Sequence, residues 1–430
     1  MKLHIENFAK ISSADIEFDG LTVIAGKNNT GKSTVGKVLY TFFRALSQLP
    51  KRIVKDRIDA VVKAFERNVN LTISGEQAQR LLNRSASVPE VFLEVKSLFS
   101  KDDPLQALFA SLHPDELSEF SKNDIEKTID RVLSASDKEI AGNLAHQVID
   151  CVFHRQIHPL RPTSGDARLV LTVHGEANEM VFGHGKRSIS HRTNFIKKVR
   201  LIASPDVLSL LNVRDLLLNR EYAKAFEKYT FELAQELARE SRLSAAEEEA
   251  VRGQIVELLS LLDDVIHGKI VLDDDRDFAL LEEGNDRPTK AENISMGMKF
   301  FVLLRLMLMR GVLRERDVLI LDEPENHLHP TLQIVYAKVL VVLQRLFNLT
   351  ILVTSHSAFF VNALQRFSLK ELVLGRTHFY LAREDGDALG FVTFDDVTKK
   401  TGPIFKEFAE AYALSDKLSG ADLPTDNDIA

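Results

Sequence analysis

The 430-residue chain has one cysteine, Cys151, so no disulfide can form within it, and a reducing compartment suits it. A cytoplasmic location is the expectation. Long hydrophobic runs are also missing. The most apolar stretch, FFVLLRLMLM from Phe300, is interrupted by Arg305 and falls well short of the roughly 20 residues that span a bilayer. No membrane segment is expected, and the opening MKLHIENFAK has no secretory apolar core. Nor is there an excess of basic charge: 55 Lys and Arg stand against 62 Asp and Glu, a formal charge of -7. Any contact with nucleic acid must therefore come from a local patch. No repeat or low-complexity tract is evident, and 45% apolar content is ordinary for a globular chain with a sizeable core, long enough for two or three domains.

Against this background one stretch carries chemistry. LTVIA runs into GKNNTGKST, which places Gly26, Gly31, Lys32 and Ser33 in the spacing G-x-x-x-x-G-K-[ST]. At about 7% glycine usage such a string arises by accident in roughly one or two chains per hundred of this length. A chain turning tightly from strand into helix points successive backbone N–H groups inward, and glycine lets that backbone approach a polyphosphate without a Cβ in the way. The helix opening near Lys32 adds the positive end of its dipole; the lysine reaches the β- and γ-phosphates and the Ser33 hydroxyl is placed to ligate Mg²⁺. Asn29, where a third glycine would be unsurprising, is a residue that tolerates left-handed dihedrals. The expected ATP site is thus the loop of Gly26, Lys27, Asn28, Asn29, Thr30, Gly31, Lys32, Ser33 and Thr34. A plain glycine turn between strand and helix is the alternative.

A phosphate loop needs a carboxylate on a neighbouring strand. RDVLILDEPENHLHP supplies one: Val318 to Leu321 is all apolar, suited to a strand covered on both faces, and ends in Asp322 and Glu323. In open α/β sheets ligands gather at the carboxyl ends of strands. Asp322 is the expected Mg²⁺ residue together with Ser33, and Glu323 the general base that polarises the attacking water. LTILVTSHS reads as another buried strand, ending at His356, which can hydrogen-bond the γ-phosphate or that water. His327 and His329 in NHLHP make a weak zinc site without a third ligand. They fit better as a loop before Pro330, a residue suited to a first helical turn.

Along the chain, KLHIENF, ADIEF and LTVIA read as strands, and a helical period follows from Ser33. Residues 49–160 read as a helical insertion broken near 85–89 and at Pro104 and Pro114. Residues 161–212 are β-rich, with a hairpin turning at 175–178 and a strand in KKVRLIA. Residues 213–267 read as a helical hairpin with a break near 241–244, and 268–415 return to strands and helices, beginning with GKIVL and DFALL. The segment 416–430 reads as a disordered tail.

Four stretches in this order, GKNNTGKS, ENISMGMKFF, LILDEPENHLHP and LVTSHS, resemble the Walker A, signature, Walker B and histidine-switch motifs of the ABC-type ATPase heads shared by SMC proteins, RecF and the OLD group. EPENHLHP is most similar to the OLD type. The motifs cover roughly 1–48 and 268–380, with 1–48 and 268–415 as the two parts of the head. The resemblance implies an α/β fold: an ABC-type P-loop head with a mixed sheet, an N-terminal antiparallel β lobe and a large helical insertion. It implies Mg²⁺-dependent ATP hydrolysis by a head-to-head homodimer, in which Ser295 and Gly297 of the signature complete the ATP site of the other copy. Here SMGMK replaces the usual SGG or SGE, with the glycine set before a helix starting near Met298 and Met296 and Met298 as departures. Adenine contacts near Phe8 and Lys10 are a further expectation.

OLD-type enzymes often carry a C-terminal nuclease domain, and none is expected here; the stretch with EDGD and FDD reads better as two or three terminal strands of the head, with turns at Gly375 and 385–387, than as a metal nuclease. The resemblance then extends to ATPase subunits of anti-phage systems such as Septu and PARIS, which work beside a separate effector, a nuclease or toxin. Double-stranded DNA is the other expected partner, through basic stretches at 186–200 and 51–67 that could neutralise duplex phosphates. A RecF-like role in DNA maintenance is the alternative function. A transporter subunit is disfavoured by the long insertion and by EPENHLHP.

Overall fold

The computed structural model describes residues 1–69, 73–97, 119–157, 165–183, 186–190, 193, 195, 197–211, 227–238, 245–273, 277–385 and 390–409. The expected breaks at Pro104, Pro114 and 241–244 and the tail 416–430 lie outside these residues. The chain forms two compact units, one of Met1–Ser47 with Val148–Ala430 and one of Gln48–Gln147.

In chain order the strands are β1 (Lys2–Phe8), β2 (Ile11–Glu17), β3 (Leu21–Gly26), β4 (Ala167–Val173), β5 (Glu176–Gly183), β6 (Lys186–Ser190), β7 (Val199–Ile202), β8 (Gly268–Leu272), β9 (Phe278–Glu282), β10 (Thr289–Lys290), β11 (Val318–Asp322), β12 (Thr350–Ser355), β13 (Thr377–Glu384) and β14 (Val392–Asp396). The helices are α1 (Lys32–Leu46), α2 (Leu49–Val69), α3 (Gly75–Leu82), α4 (Val88–Ser97), α5 (Glu119–Ser134), α6 (Asp137–Val152), α7 (Val207–Leu210), α8 (Lys228–Ala238), α9 (Ala245–Ile266), α10 (Met296–Met309), α11 (Pro330–Phe347) and α12 (Ala358–Lys370).

The larger unit is built on an 11-stranded mixed sheet in the order β6-β5-β4-β1-β2-β14-β13-β3-β12-β11-β7. Two patterning regimes explain its two halves. The run β13-β3-β12-β11-β7 is parallel, and its central strands LTVIAG and TILVTS are buried along their whole length, as strands covered on both faces must be. The run β6-β5-β4-β1-β2 is antiparallel, and β2 and β4 alternate buried with exposed positions, one face wet. The chain is thus α/β with an antiparallel lobe continuing a parallel core. A separate antiparallel sheet has the order β10-β9-β8.

Helices close the parallel core. Tyr336 of α11 is fully buried in an aromatic cluster, its ring 5.2 Å from Phe301 and 6.0 Å from Phe300. Each such side chain contributes about 1.5–3 kcal/mol by leaving water. Helix α11 is long and apolar enough to cross a membrane by length and composition alone, yet it is a core helix, buried from Tyr336 through Leu343 at all but Lys338. Gly36 lets α1 lie close over the sheet: a Cβ there would meet Ile320 Cγ2 at 3.0 Å.

One local expectation needs correction. The β4–β5 turn lies at His174 and Gly175, both left-handed, while Asn178 is already within β5. Residues 213–226 and 239–244 of the expected helical hairpin lie outside the described residues. Helix α8 sits on β7 and α7, and α9 on α10 and α11, because Ile255, Leu258, Leu262 and Ile266 of α9 make an apolar stripe that joins the main core.

The unit Gln48–Gln147 is helical among its described residues, with its own core of Val61, Phe65, Leu81, Val91, Ile125 and Ile129. Helix α3 starts on a capping box in which Ser74 and Gln77 exchange hydrogen bonds with each other's backbone.

Candidate active site

Strand register brings the chemistry-bearing residues to one edge. Asp322 pairs with Thr354 across β11 and β12, Ser355 pairs with Ala25 across β12 and β3, and Gly26 pairs with Ala382 of β13. Three strands therefore end level, and the loop, the carboxylates and the histidine leave the sheet side by side.

The loop has the backbone its sequence requires. Asn29 is left-handed at φ 66°, Gly31 at φ 74° and Gly26 at φ 150°. A Cβ at Gly26 would meet the Ala382 carbonyl oxygen at 2.7 Å, so only glycine fits there. Lys32 opens α1 and is only 3% exposed. Its ammonium turns back into the loop, donating to the Gly26 oxygen at 2.9 Å and the Lys27 oxygen at 2.7 Å, with Glu323 Oε1 at 3.5 Å. The ammonium is thus held inside the loop by two backbone oxygens and a carboxylate oxygen.

Ser33 and Asp322, 289 positions apart, meet directly: Ser33 Oγ donates to Asp322 Oδ1 at 2.9 Å. Thr354 Oγ1 donates to the same oxygen at 2.5 Å. A hydroxyl and a carboxylate, both hard oxygen donors, are what Mg²⁺ takes from a protein when phosphates and water supply the rest. The residues present fit that ion.

Glu323 follows on a left-handed backbone, φ 49°, a conformation that costs a non-glycine residue about 1–3 kcal/mol. Thr354 holds it there, accepting the Glu323 N–H on its hydroxyl at 3.0 Å and on its carbonyl at 3.2 Å. The Glu323 carboxylate takes a hydrogen bond from Asn326 Nδ2 at 3.1 Å and faces His356 Nδ1 at 3.3 Å. The histidine contact has ion-pair distance without hydrogen-bond geometry, since Nδ1 is buried and makes no hydrogen bond. Lys32, Glu323 and His356 thus form a line across the strand ends.

Behind them sits a residue the motif reading passed over. Glu325 is 2% exposed, and its Oε1 accepts from Ser355 Oγ at 2.6 Å and from the His356 backbone N–H at 3.0 Å. Burial pushes its pKa up, against the hydrogen bonds from Ser355 and His356. Thr354, Asn326 and Glu325 all belong to the quoted motifs; Asn326 meets Glu323 within one loop, whereas only the register shows what Thr354 and Glu325 meet.

Ser295 and Gly297 stand differently from expectation. Helix α10 begins at Met296 rather than near Met298, with Ser295 as its N-cap: its side chain accepts from the Met298 N–H at 3.4 Å, and its φ of -58° and ψ of 144° are non-helical. Gly297 therefore lies inside the helix. Its glycine identity has a reason within one copy, since a Cβ would meet the His327 carbonyl oxygen at 2.8 Å and Leu328 Cδ2 at 3.1 Å. Gly297→Ala is expected to destabilise the fold by about 1–3 kcal/mol through overpacking against backbone, read as a lower urea midpoint. An unchanged midpoint would mean that helix and loop are not in contact in solution.

Several expected residues lie elsewhere. Phe8 is fully buried and its ring packs edge-on against Phe153 at 4.9 Å, so it has no face left for an adenine. Lys10 is partly exposed, and its carbonyl accepts from the Val392 N–H. His329 caps α11, with Pro330 in its first turn, and the His327 backbone lies against Gly297; no group of three metal-binding side chains occurs among the described residues. Asp395 pairs with Arg383 and Asp396 caps Thr398, while the centre of EDGD lies outside the described residues. In the basic stretch 186–200, Arg200 is buried and bound to Asp317 and Glu236, and Lys198 also pairs with Glu236. Buried Arg200 is not offered to DNA. On the β13 flank of the loop a cleft of about 460 Å³ is lined by Lys27, Asn28, Arg383, Glu384, Lys406 and Glu407.

Residues 174–362 match the family described as "AAA domain, putative AbiEii toxin, Type IV TA system", and residues 1–144 match "AAA ATPase domain". No curated protein matches the chain. Among solved structures, the SMC head domain from Thermotoga maritima is similar at 12% identity and a TM-score of 0.38, over 92% of this chain and 98% of that one. An SmcHead bound to the C-winged helix domain of ScpA is similar at 10% identity and a TM-score of 0.44, over 93% and 98%. An Smc head domain with an extended coiled coil, bound to the C-terminal domain of ScpA derived from Pyrococcus furiosus, is similar at 11% identity and a TM-score of 0.40, over 95% and 98%. The chain carries AAA-type ATPase domains, and the loop, Ser295, both carboxylates and His356 all lie within the matched residues.

Proposed function

We propose that this protein is an Mg²⁺-dependent ATPase switch that dimerises on ATP and controls a separate effector, a nuclease or toxin, in prokaryotic anti-phage defence. The observation that carries the ATPase reading is the meeting of Ser33, Asp322 and Thr354, with Lys32, Glu323 and His356 beside them. In this reading the loop N–H groups and Lys32 bind the triphosphate. Ser33 and Asp322 hold Mg²⁺, which when bound neutralises charge on the phosphate oxygens. Glu323 takes the proton of the attacking water, and His356 steadies that water or the γ-phosphate. The N-terminus of α10, with Ser295 and Gly297, offers its donors and dipole to the triphosphate on a second copy. The effector reading leans on the likeness of EPENHLHP to OLD-type proteins and on the toxin–antitoxin description of the family matched over 174–362.

Purified protein is expected to release phosphate from ATP, to stop when Mg²⁺ is chelated, and to bring a distinct effector polypeptide with it from its native host. No phosphate release under any of these conditions would end the ATPase reading, and isolation with no partner would end the effector reading.

A second reading, a RecF- or SMC-like DNA-binding ATPase, is favoured by one observation. Lys51, Lys55, Lys63 and Arg67 of α2 are all exposed along a row of four-residue steps that winds slowly round the helix and also carries the exposed Asp59. If this stripe holds duplex phosphates, affinity falls steeply with salt, and exchanging the four for glutamine removes that dependence.

A further inference from the structure

Helix α11 and the turn before α12 are joined by a chain of hydrogen bonds that none of the catalytic steps above uses. Gln333 Nε2 donates to the Leu328 carbonyl at 3.1 Å, and Ser357 Oγ donates to Gln333 Oε1 at 2.7 Å. The Ser357 N–H donates to Ser355 Oγ at 3.0 Å, and Ser355 Oγ donates in turn to Glu325 Oε1 at 2.6 Å. The chain ends where Glu325 Oε1 also accepts the His356 N–H at 3.0 Å. Glu325 is therefore the point at which the segment after β11 grips the segment after β12.

The chemistry of this grip is unusual for a residue that serves only packing. A glutamate 2% exposed, with its second oxygen buried and making no hydrogen bond, is costly, and an apolar side chain of similar volume would fill the same space without that cost. What an apolar residue cannot do is accept from both the Ser355 hydroxyl and the His356 backbone. Those two contacts determine where the peptide plane of His356 lies, and hence where its ring leaves the backbone. The ring stands with Nδ1 at 3.3 Å from Glu323 Oε2 and 3.8 Å from Glu325 Oε1.

We propose that Glu325 is a positioning residue for the hydrolytic step: it clamps the 355–356 backbone so that the His356 ring faces Glu323 at the strand ends. This rests on the reading of the site as an ATPase. Glu325 itself does not touch the loop; it acts through His356. Glutamine is neutral and carries the same acceptor oxygen for the Ser355 hydroxyl and the His356 N–H, which separates the clamp from any need for charge.

The test is a steady-state ATPase comparison of the full chain carrying Glu325→Gln, Glu325→Ala, Ser355→Ala or His356→Ala, each checked for native melting. Glu325→Gln keeps the acceptor and is expected to stay within about threefold of the native kcat, whereas Glu325→Ala should lose about tenfold or more in kcat with the KM for ATP within about twofold. Ser355→Ala, which removes one of the two donors and leaves the carboxylate, should fall between them and serves as the deciding variant if Glu325→Ala does not fold. Equal losses in Glu325→Gln and Glu325→Ala, a rise in KM with kcat intact, or native kcat in Glu325→Ala or in Ser355→Ala would each overturn the positioning role. If the native chain releases no phosphate, the ATPase reading fails first. If the native chain turns over and His356→Ala is slow while Glu325→Ala is not, only the inference about Glu325 fails.

Discussion

Glu323→Gln is expected to bind ATP about as tightly as the native chain while hydrolysing it about 10²- to 10⁴-fold more slowly, the usual loss when a general base is removed. The substitution keeps shape and one acceptor, so the Asn326 bond at 3.1 Å can persist and the left-handed turn anchored on Thr354 has no reason to relax. What disappears is the basic oxygen between Lys32 and His356. Because the backbone at Glu323 is held in a sparsely populated conformation by two hydrogen bonds from its own N–H, the carboxylate is placed before any substrate arrives. Binding and turnover therefore separate, and ATP should accumulate on the variant together with the dimer. Nucleotide titration, phosphate release and light scattering with ATP check the three parts. A variant that turns over at the native rate would remove Glu323 from the role of base.

The second large effect falls on binding. Lys32→Ala should weaken ATP binding about tenfold to hundredfold for each charge-assisted bond lost, about 1.5–3 kcal/mol apiece. The ammonium already lies inside the loop, 2.9 Å and 2.7 Å from two of its carbonyl oxygens, and is almost fully buried, so it needs little rearrangement to meet a phosphate. Without it the carbonyls of Gly26 and Lys27 face an anion uncompensated, which adds repulsion to the lost attraction. Calorimetric titration reads the change directly, and undiminished affinity would contradict the assignment of the loop. The two variants are complementary: one separates hydrolysis from binding, the other removes binding and turnover together.

Much of the fold was legible from residue order because the controlling physics is local. Strand β1 coincides with KLHIENF, and β11 carries the all-apolar run Val318 to Leu321, which suits a strand covered on both faces. Asn29 and Gly31 adopt the left-handed backbone their types permit, and Pro330 stands at the start of α11. Where the reading slipped, a tertiary contact had overruled a local preference. The start of α10 is the exception, a local effect: Ser295 caps the helix two residues earlier than the glycine suggested. Phe8, an aromatic beside a turn, was drawn into the core against Phe153 instead of facing a ligand. Arg200, one of six bases in an acid-free stretch, is spent on Asp317 and Glu236, residues 117 and 36 positions away.

Residue order alone assigned the phosphate cradle, the apolar strands and the acids at their ends, since each depends on dihedral preference or solvent exclusion over a few neighbouring positions. It could not assign Thr354 or Glu325, because their partners are chosen by strand register. Asp322 lies opposite Thr354, and that alignment exists only once β11 and β12 have paired. The same holds for Gly297, whose missing side chain is explained by a carbonyl 30 residues on. Side chains that recognise a ligand announce their chemistry by type and spacing; those that hold them in place do so through partners that only a folded chain brings within hydrogen-bonding distance.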